Sequence, residues 1–141
     1  MSALVIGVGN PDRGDDGVGW RVIELLADEM PTVRCRGDAV ELIEAWADTP
    51  EVIVVDAMSS GAPAGTIVIG AAETVPDSPT SSHGFGLAQA MALAGALGSL
   101  PADLTVVGIE GGSYDHGSPL SAAVEEAALS VAARIREGRI R

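Results

Sequence analysis

The chain of 141 residues contains no lysine, a single cysteine and few aromatic side chains. The lone Cys35 excludes an intrachain disulfide, and we expect it to pack as a small apolar side chain rather than to act as a nucleophile. No apolar run reaches the ~18 residues that a membrane-spanning helix needs. The chain also does not open on a charged and then apolar leader. We therefore expect a cytoplasmic protein without a membrane partner.

Basic side chains are scarce and all eight are arginines, against 20 acidic residues, which gives a net charge of −12. Such a surface repels phosphate backbones and excludes nucleic acid as a partner. It favours solubility, and it is equally suited to docking a basic tail of a partner protein. A compact chain of this length needs one hydrophobic core, so we predict a single domain over residues 1–141.

Short apolar runs rich in β-branched residues alternate with stretches of helical spacing. This alternation predicts an α/β fold, a three-layer sandwich with a mostly parallel sheet of about five strands. The strand predicted at 66–70 follows Asp56 by a connection too short for a crossover helix, so we expect it to run antiparallel to its neighbours. The strands are predicted at 3–8, 32–36, 51–58, 66–70 and 103–109.

Two helix starts carry specific capping signals. Asp38 and Glu41 have the spacing of a capping box, which favours a structural role for Asp38. Near the end of the chain, Ser118 is predicted to cap the last helix, with Pro119 at its first position.

Ligands of such sheets bind beyond the carboxyl ends of the strands, a rule that selects the loops after Val8, Asp56 and Ile109. The first of these loops lies in "GVGNPDRGDDGVG", residues 7–19. A strand, a glycine-rich turn and a helix are the context of a dinucleotide fingerprint, but Asp12 stands where its third glycine belongs. The carboxylates that follow would repel a pyrophosphate. The sequence therefore disfavours nucleotide binding.

Acidic side chains at these strand ends suggest a different chemistry. Asp15 can be explained as a helix cap, whereas Asp16 is not needed for the same cap, and Asp56 closes an otherwise apolar strand. His83 stands just ahead of a predicted helix, where its imidazole could point over the same sheet edge. Two carboxylates and an imidazole suit a divalent ion such as Zn²⁺ or Ni²⁺. Helix caps and buried ion pairs would give the same pattern of acidic residues in a sequence, so a structural role is the alternative. The other histidine, His116, is expected to be a solvated loop residue.

Four blocks of the sequence resemble, in order and spacing, those of the hydrogenase maturation proteases. They are "VIGVGNPDRGDDGVG", "VIVVDAM", "SSHGFGL" and "VVGIEGGSYDHGSPLS". The resemblance implies a phosphorylase/hydrolase-like α/β/α fold whose mixed five-stranded sheet has one antiparallel strand. It also implies an endopeptidase, classed as aspartic-type, that removes the C-terminal extension from the large-subunit precursor of a nickel-iron hydrogenase after nickel insertion.

The resemblance also places the family's catalytic and metal-binding residues on Asp16, Asp56 and His83. It implies a metal-dependent endopeptidase that acts as a monomer on nickel carried by the substrate, with another divalent ion such as zinc as an alternative. The family often has Glu where this chain has Asp16, and the block around Glu110 lacks the proline commonly found after its first acid. These departures leave an alternative open, a non-catalytic nickel-checking or chaperone module on the same fold.

Overall fold

The computed structural model describes residues 3–71 and 84–140. Strands and helices alternate along the chain, as the apolar pattern predicts. In chain order the elements are β1 (Leu4–Val8), a 3-10 helix (Gly14–Gly17), α1 (Val18–Leu26), β2 (Thr32–Cys35), α2 (Ala39–Trp46), β3 (Glu51–Met58), β4 (Ile67–Ala71), α3 (Gly84–Leu97), β5 (Asp103–Glu110) and α4 (Ala122–Arg136).

The five strands form a mixed sheet in the order β2-β1-β3-β5-β4. Strands β2, β1, β3 and β5 are parallel, while β4 runs antiparallel to β5 with Ile67 opposite Ile109. The predicted fold class and the predicted antiparallel strand are both confirmed. Because the link between β3 and β4 is too short to hold a helix, the chain returns in the opposite direction.

Apolar side chains fill both faces of the sheet. Alternate residues of β3 divide between them, since successive side chains of a strand point to opposite sides. Ile53 and Val55 pack in the cluster that includes α1 and α4, whereas Val52 and Val54 pack with α2 and α3. The molecule therefore has the predicted three layers, and its connecting loops emerge at the ends of the strands.

Local predictions near β2 are also confirmed. The Asp38 carboxylate accepts hydrogen bonds from the backbone of Val40 (2.9 Å) and Glu41 (3.1 Å), so it caps α2 as predicted. Cys35 is buried in the core. Its burial, together with the nearby carboxylate of Glu41, raises the pKa of the Cys35 thiol to about 11. A thiol with so high a pKa makes a poor nucleophile at neutral pH.

None of the helices in residues 3–71 and 84–140 combines the length and the apolar character that crossing a membrane requires.

Candidate functional site

Four carboxylates are buried where the strands β1, β3 and β5 end and their loops begin. They belong to Asp15, Asp16, Asp56 and Glu110, which are at most 5% exposed. A carboxylate taken out of water costs several kcal/mol unless hydrogen bonds or cations compensate for the lost hydration. Such a concentration of buried acidic groups at one sheet edge marks this edge as the candidate site.

Close backbone approaches shape the loop between β1 and α1. A Cβ atom at Gly9 would lie 2.1 Å from the backbone oxygen of Asp16. The same oxygen accepts a hydrogen bond from the Asn10 backbone at 3.1 Å. Gly14 has φ +56°, and a Cβ atom there would lie 2.6 Å from the backbone oxygen of Ser113. These glycines of the first block thus fold the loop back on itself and against the loop that follows β5.

Asp15 joins the first loop to the loop after β5. Its carboxylate accepts hydrogen bonds from the backbone N–H groups of Gly112 (2.7 Å), Ser113 (3.1 Å) and Ser121 (2.7 Å), and from the Ser121 hydroxyl (3.0 Å). Burial opposes ionisation of this carboxyl, but the hydrogen bonds outweigh it and lower the pKa of Asp15. The Asp15 carboxylate is therefore ionised at neutral pH, and it joins the first loop to the loop after β5.

Two predictions about helix caps are wrong for this reason. Asp15 caps neither the 3-10 helix nor α1, since neither has a side-chain cap. The last helix begins at Ala122, with Ser121 rather than Ser118 at its N-cap position, and the Ser121 hydroxyl makes no cap bond. Instead, the hydroxyl and the backbone N–H of Ser121 both donate hydrogen bonds to the Asp15 carboxylate. A contact between residues so far apart in sequence overrides the local preference.

Asp16 and Asp56, two of the predicted site residues, lie at this same edge. Asp16 belongs to the 3-10 helix, which contacts β3, the strand that carries Asp56. Their exposures are only 2% and 5%. A guanidinium nitrogen of the partly exposed Arg13 lies 3.8 Å from the Asp16 carboxylate. The structure thus places two acidic residues, 40 positions apart in the printed sequence, on neighbouring elements at one sheet edge.

Glu110 is the last residue of β5, and Asp56 lies near the end of β3. The Glu110 carboxylate accepts hydrogen bonds from the Ser60 backbone (3.0 and 3.1 Å) and from the Ser60 hydroxyl (2.6 Å). These bonds attach the loop between β3 and β4 to the end of β5. Sequence reasoning gave Glu110 no role, although a buried strand that ends on an acid is the signal that singled out Asp56.

Tyr114 adds a second connection at this edge. Its hydroxyl donates a hydrogen bond to the Met58 backbone oxygen at 2.5 Å. Burial is the main reason that the pKa of Tyr114 rises to about 12, and the negative charges of Glu110, Asp16 and Asp15 contribute to the rise. The hydroxyl therefore stays protonated at neutral pH and remains a donor. No spacing in the sequence indicated this contact.

The third predicted site residue, His83, lies outside the described residues. Within the described ranges, no three His, Cys, Asp or Glu side chains group closely enough to hold a metal ion. The set of Asp16, Asp56 and His83 therefore stays a prediction. His116 is exposed in the loop after β5, in agreement with its interpretation as a solvated residue.

Comparison with known proteins agrees with this architecture. A family model described as hydrogenase maturation protease (HycI) matches residues 37–137. The hydrogenase 2 maturation protease of Escherichia coli strain K12 is 31% identical over 155 residues, which cover 99% of this chain and 94% of that protein.

Solved structures give the same result. The hydrogenase maturating endopeptidase HybD from E. coli superposes with a TM-score of 0.79 at 29% identity, covering 98% of this chain and 94% of that one. The solution structure of an endopeptidase from E. coli superposes with a TM-score of 0.81 at 28% identity, covering 100% and 96% of the two chains. Because the family model covers most of the sequence and the curated relative nearly all of it, this chain belongs to the hydrogenase maturation protease family.

Proposed function

We propose that this maturation endopeptidase removes the C-terminal extension from the large-subunit precursor of a nickel-iron hydrogenase after nickel insertion. Asp16, Asp56 and His83 would grip the nickel that the precursor carries, so the metal belongs to the substrate. Family membership makes the chain a hydrolase of peptide bonds. The nickel requirement and the roles of these three residues are what we add.

The observation that carries this proposal is the burial of two of the predicted site carboxylates at one sheet edge. Asp16 and Asp56 lie at the same edge on elements that contact each other. Carboxylate oxygens combined with an imidazole nitrogen suit nickel, and zinc is the alternative ion for the same donors.

Asp16 and Asp56 would act first by orientation. A metal held by two residues of a rigid edge fixes the peptide bond next to it, which removes much of the entropic barrier to attack. A bound divalent ion polarises a scissile carbonyl or activates a water molecule. A carboxylate at the site would then accept the proton that the attacking water gives up.

A second candidate function is a nickel-checking or chaperone module that binds the precursor without cutting it. The observation in its favour is Asp16 itself, because Asp is one methylene shorter than the Glu often found at this position of the family. A shorter side chain places the carboxylate nearer to the backbone of the 3-10 helix. Cleavage of the precursor separates the two candidates.

The test is incubation of the nickel-loaded precursor with the purified protein, followed by intact-mass measurement of the precursor over time. We expect the wild-type protein to remove one defined C-terminal peptide. Asp16→Ala and His83→Ala should each slow this removal by at least about 100-fold, because each takes away a group that orients the reacting atoms.

Asp12→Asn is the matched control. Asp12 lies on the same loop and is exposed, so this variant removes a charge near Asp16 without touching the buried edge. It should cut at the wild-type rate. Full activity in both Asp16→Ala and His83→Ala would refute the proposed roles, and wild-type protein that binds the precursor without shortening it would favour the non-catalytic module.

A further inference from the structure

Two guanidinium groups lie against one indole ring beside the first loop. The guanidinium carbon of Arg34 is 5.6 Å from the centroid of the Trp20 ring, and that of Arg36 is 5.3 Å away. The Trp20 indole N–H donates to the Cys35 backbone oxygen at 3.0 Å, which fixes the ring. Arg34 and Arg36 are two positions apart along the edge strand β2 and its end, so both can reach the same ring.

In the part of the chain that the structure describes, no carboxylate lies within ion-pair distance of either guanidinium. Acidic side chains of the neighbouring elements have other partners. Glu24 and Glu125 bind Arg21, and Glu41 accepts a hydrogen bond from the backbone N–H of Arg36. Both guanidiniums are exposed to solvent, so an incoming anion can reach them.

The ring borders a groove of about 240 Å³ that extends to the 3-10 helix carrying Asp16. Trp20, Arg34 and Pro119 line it, together with Arg21 and Glu24, which form an ion pair with each other. Gly14 and Gly17, which begin and end the 3-10 helix that contains Asp16, line it as well. Pockets for small molecules usually measure ~300–1,000 Å³, so this smaller groove suits a side chain that projects from a bound peptide.

We propose that this groove, with Arg34 and Arg36 at the Trp20 ring, binds an acidic side chain of the precursor in the segment next to the cleavage site. This inference rests on the proposed function. Two like charges held near one ring gain from an anion between them, and guanidinium–carboxylate bonds are among the stronger hydrogen bonds. The chain as a whole has a net charge of −12 and repels an acidic partner, so these arginines would fix the direction in which the bound peptide runs past Asp16.

The test is a measurement of KM and kcat for precursor cleavage by the full-length wild-type, Arg34→Gln and Arg34→Lys proteins. Arg34→Gln should raise KM about fivefold and leave kcat within about twofold, as expected when binding is lost without loss of transition-state stabilisation. Arg34→Lys should recover part of the affinity. A precursor whose acidic side chains near the cut are changed to amides should show the higher KM with the wild-type protein and no further rise with Arg34→Gln.

Arg139→Gln is the control of equal charge, since Arg139 is exposed near the end of the chain and pairs with Glu137. It should leave KM unchanged. Equal KM values for Arg34→Gln and Arg139→Gln would overturn the proposal, as would an unchanged wild-type KM for the amide-bearing precursor. If the wild-type protein fails to cut, the proposed function fails, and Kd values for the same proteins and precursors still decide whether the groove binds acidic side chains.

Discussion

The two sides of the sheet edge that carries the site are built differently. On the side of β3 and β5, Asp15 and Glu110 bind groups of the loops that follow β5 and β3, and Tyr114 binds the backbone of Met58 at the end of β3. On the side of β1 and β2, Arg34 and Arg36 are exposed around a single ring. Hydrogen bonds thus link the loops on the first side to one another, whereas the arginines on the second side face the solvent.

This difference separates two requirements of a protease. Groups that orient a peptide bond must be held by their surroundings, and the bonds of Asp15 to the loop after β5 hold the neighbouring Asp16 in place. Groups that recognise a partner must remain accessible. Changes on the connected side should therefore lower stability, whereas changes on the open side should affect binding of the precursor.

The largest effect on stability is expected from Asp15→Asn. The substitution removes the negative charge of the carboxylate that accepts four hydrogen bonds. It also replaces one carboxylate oxygen with an amide NH₂ group, which is a donor and cannot accept them. We expect the free energy of unfolding, measured with urea at pH 7, to fall by about 3 kcal/mol. The exposed Asp12→Asn variant should change it by no more than about 0.5 kcal/mol.

Acid titration sharpens the same prediction. Because the pKa of Asp15 in the folded protein lies below its ordinary value of 3.8, its stabilisation is present above that pH and is lost as the pH falls below it. The difference between the wild-type and Asp15→Asn proteins should shrink in acid. If, at pH 7, Asp15→Asn lowers the free energy of unfolding by no more than Asp12→Asn does, the two loops are not joined by this carboxylate.

A smaller effect is expected from Tyr114→Phe, which removes the hydrogen bond to the Met58 backbone oxygen. The loss should cost about 1 kcal/mol at neutral pH. The pKa of Tyr114 rises from 10.0 to about 12, so its contribution is complete below pH 10 and disappears as the pH rises through this interval. Wild-type stability should therefore fall between pH 10 and 12 more steeply than that of Tyr114→Phe, and parallel curves would contradict this.

The smallest effect on stability is expected on the open side. Arg34 is exposed and forms no ion pair within the described residues, so Arg34→Gln should change the free energy of unfolding by at most about 0.5 kcal/mol. Urea denaturation of the Arg34→Gln and Asp15→Asn proteins under the same conditions measures this contrast directly. A loss comparable to that of Asp15→Asn would remove the distinction between the two sides.

Much of the fold could be predicted from the sequence because its determinants are local. Apolar runs place the strands, the short link after β3 reverses β4, and Asp38 caps α2 through neighbours two and three positions away. The rule for parallel sheets also placed Asp16 and Asp56 at one edge.

The missed features depend on contacts between distant parts of the chain. Asp15 binds Ser121 across 106 positions and Glu110 binds Ser60 across 50, and no periodicity or spacing encodes either pairing. The wrong N-cap at Ser118 has the same origin, since that prediction considered only adjacent residues. Trp20, Arg34 and Arg36 likewise come together only when α1 packs beside β2.

The most direct test of the central claim compares nickel-loaded and nickel-free precursor in parallel incubations with the wild-type protein, by intact mass. We predict a discrete C-terminal mass loss from the nickel-loaded precursor alone. The same loss from both forms would contradict the claim that Asp16, Asp56 and His83 act on nickel carried by the substrate.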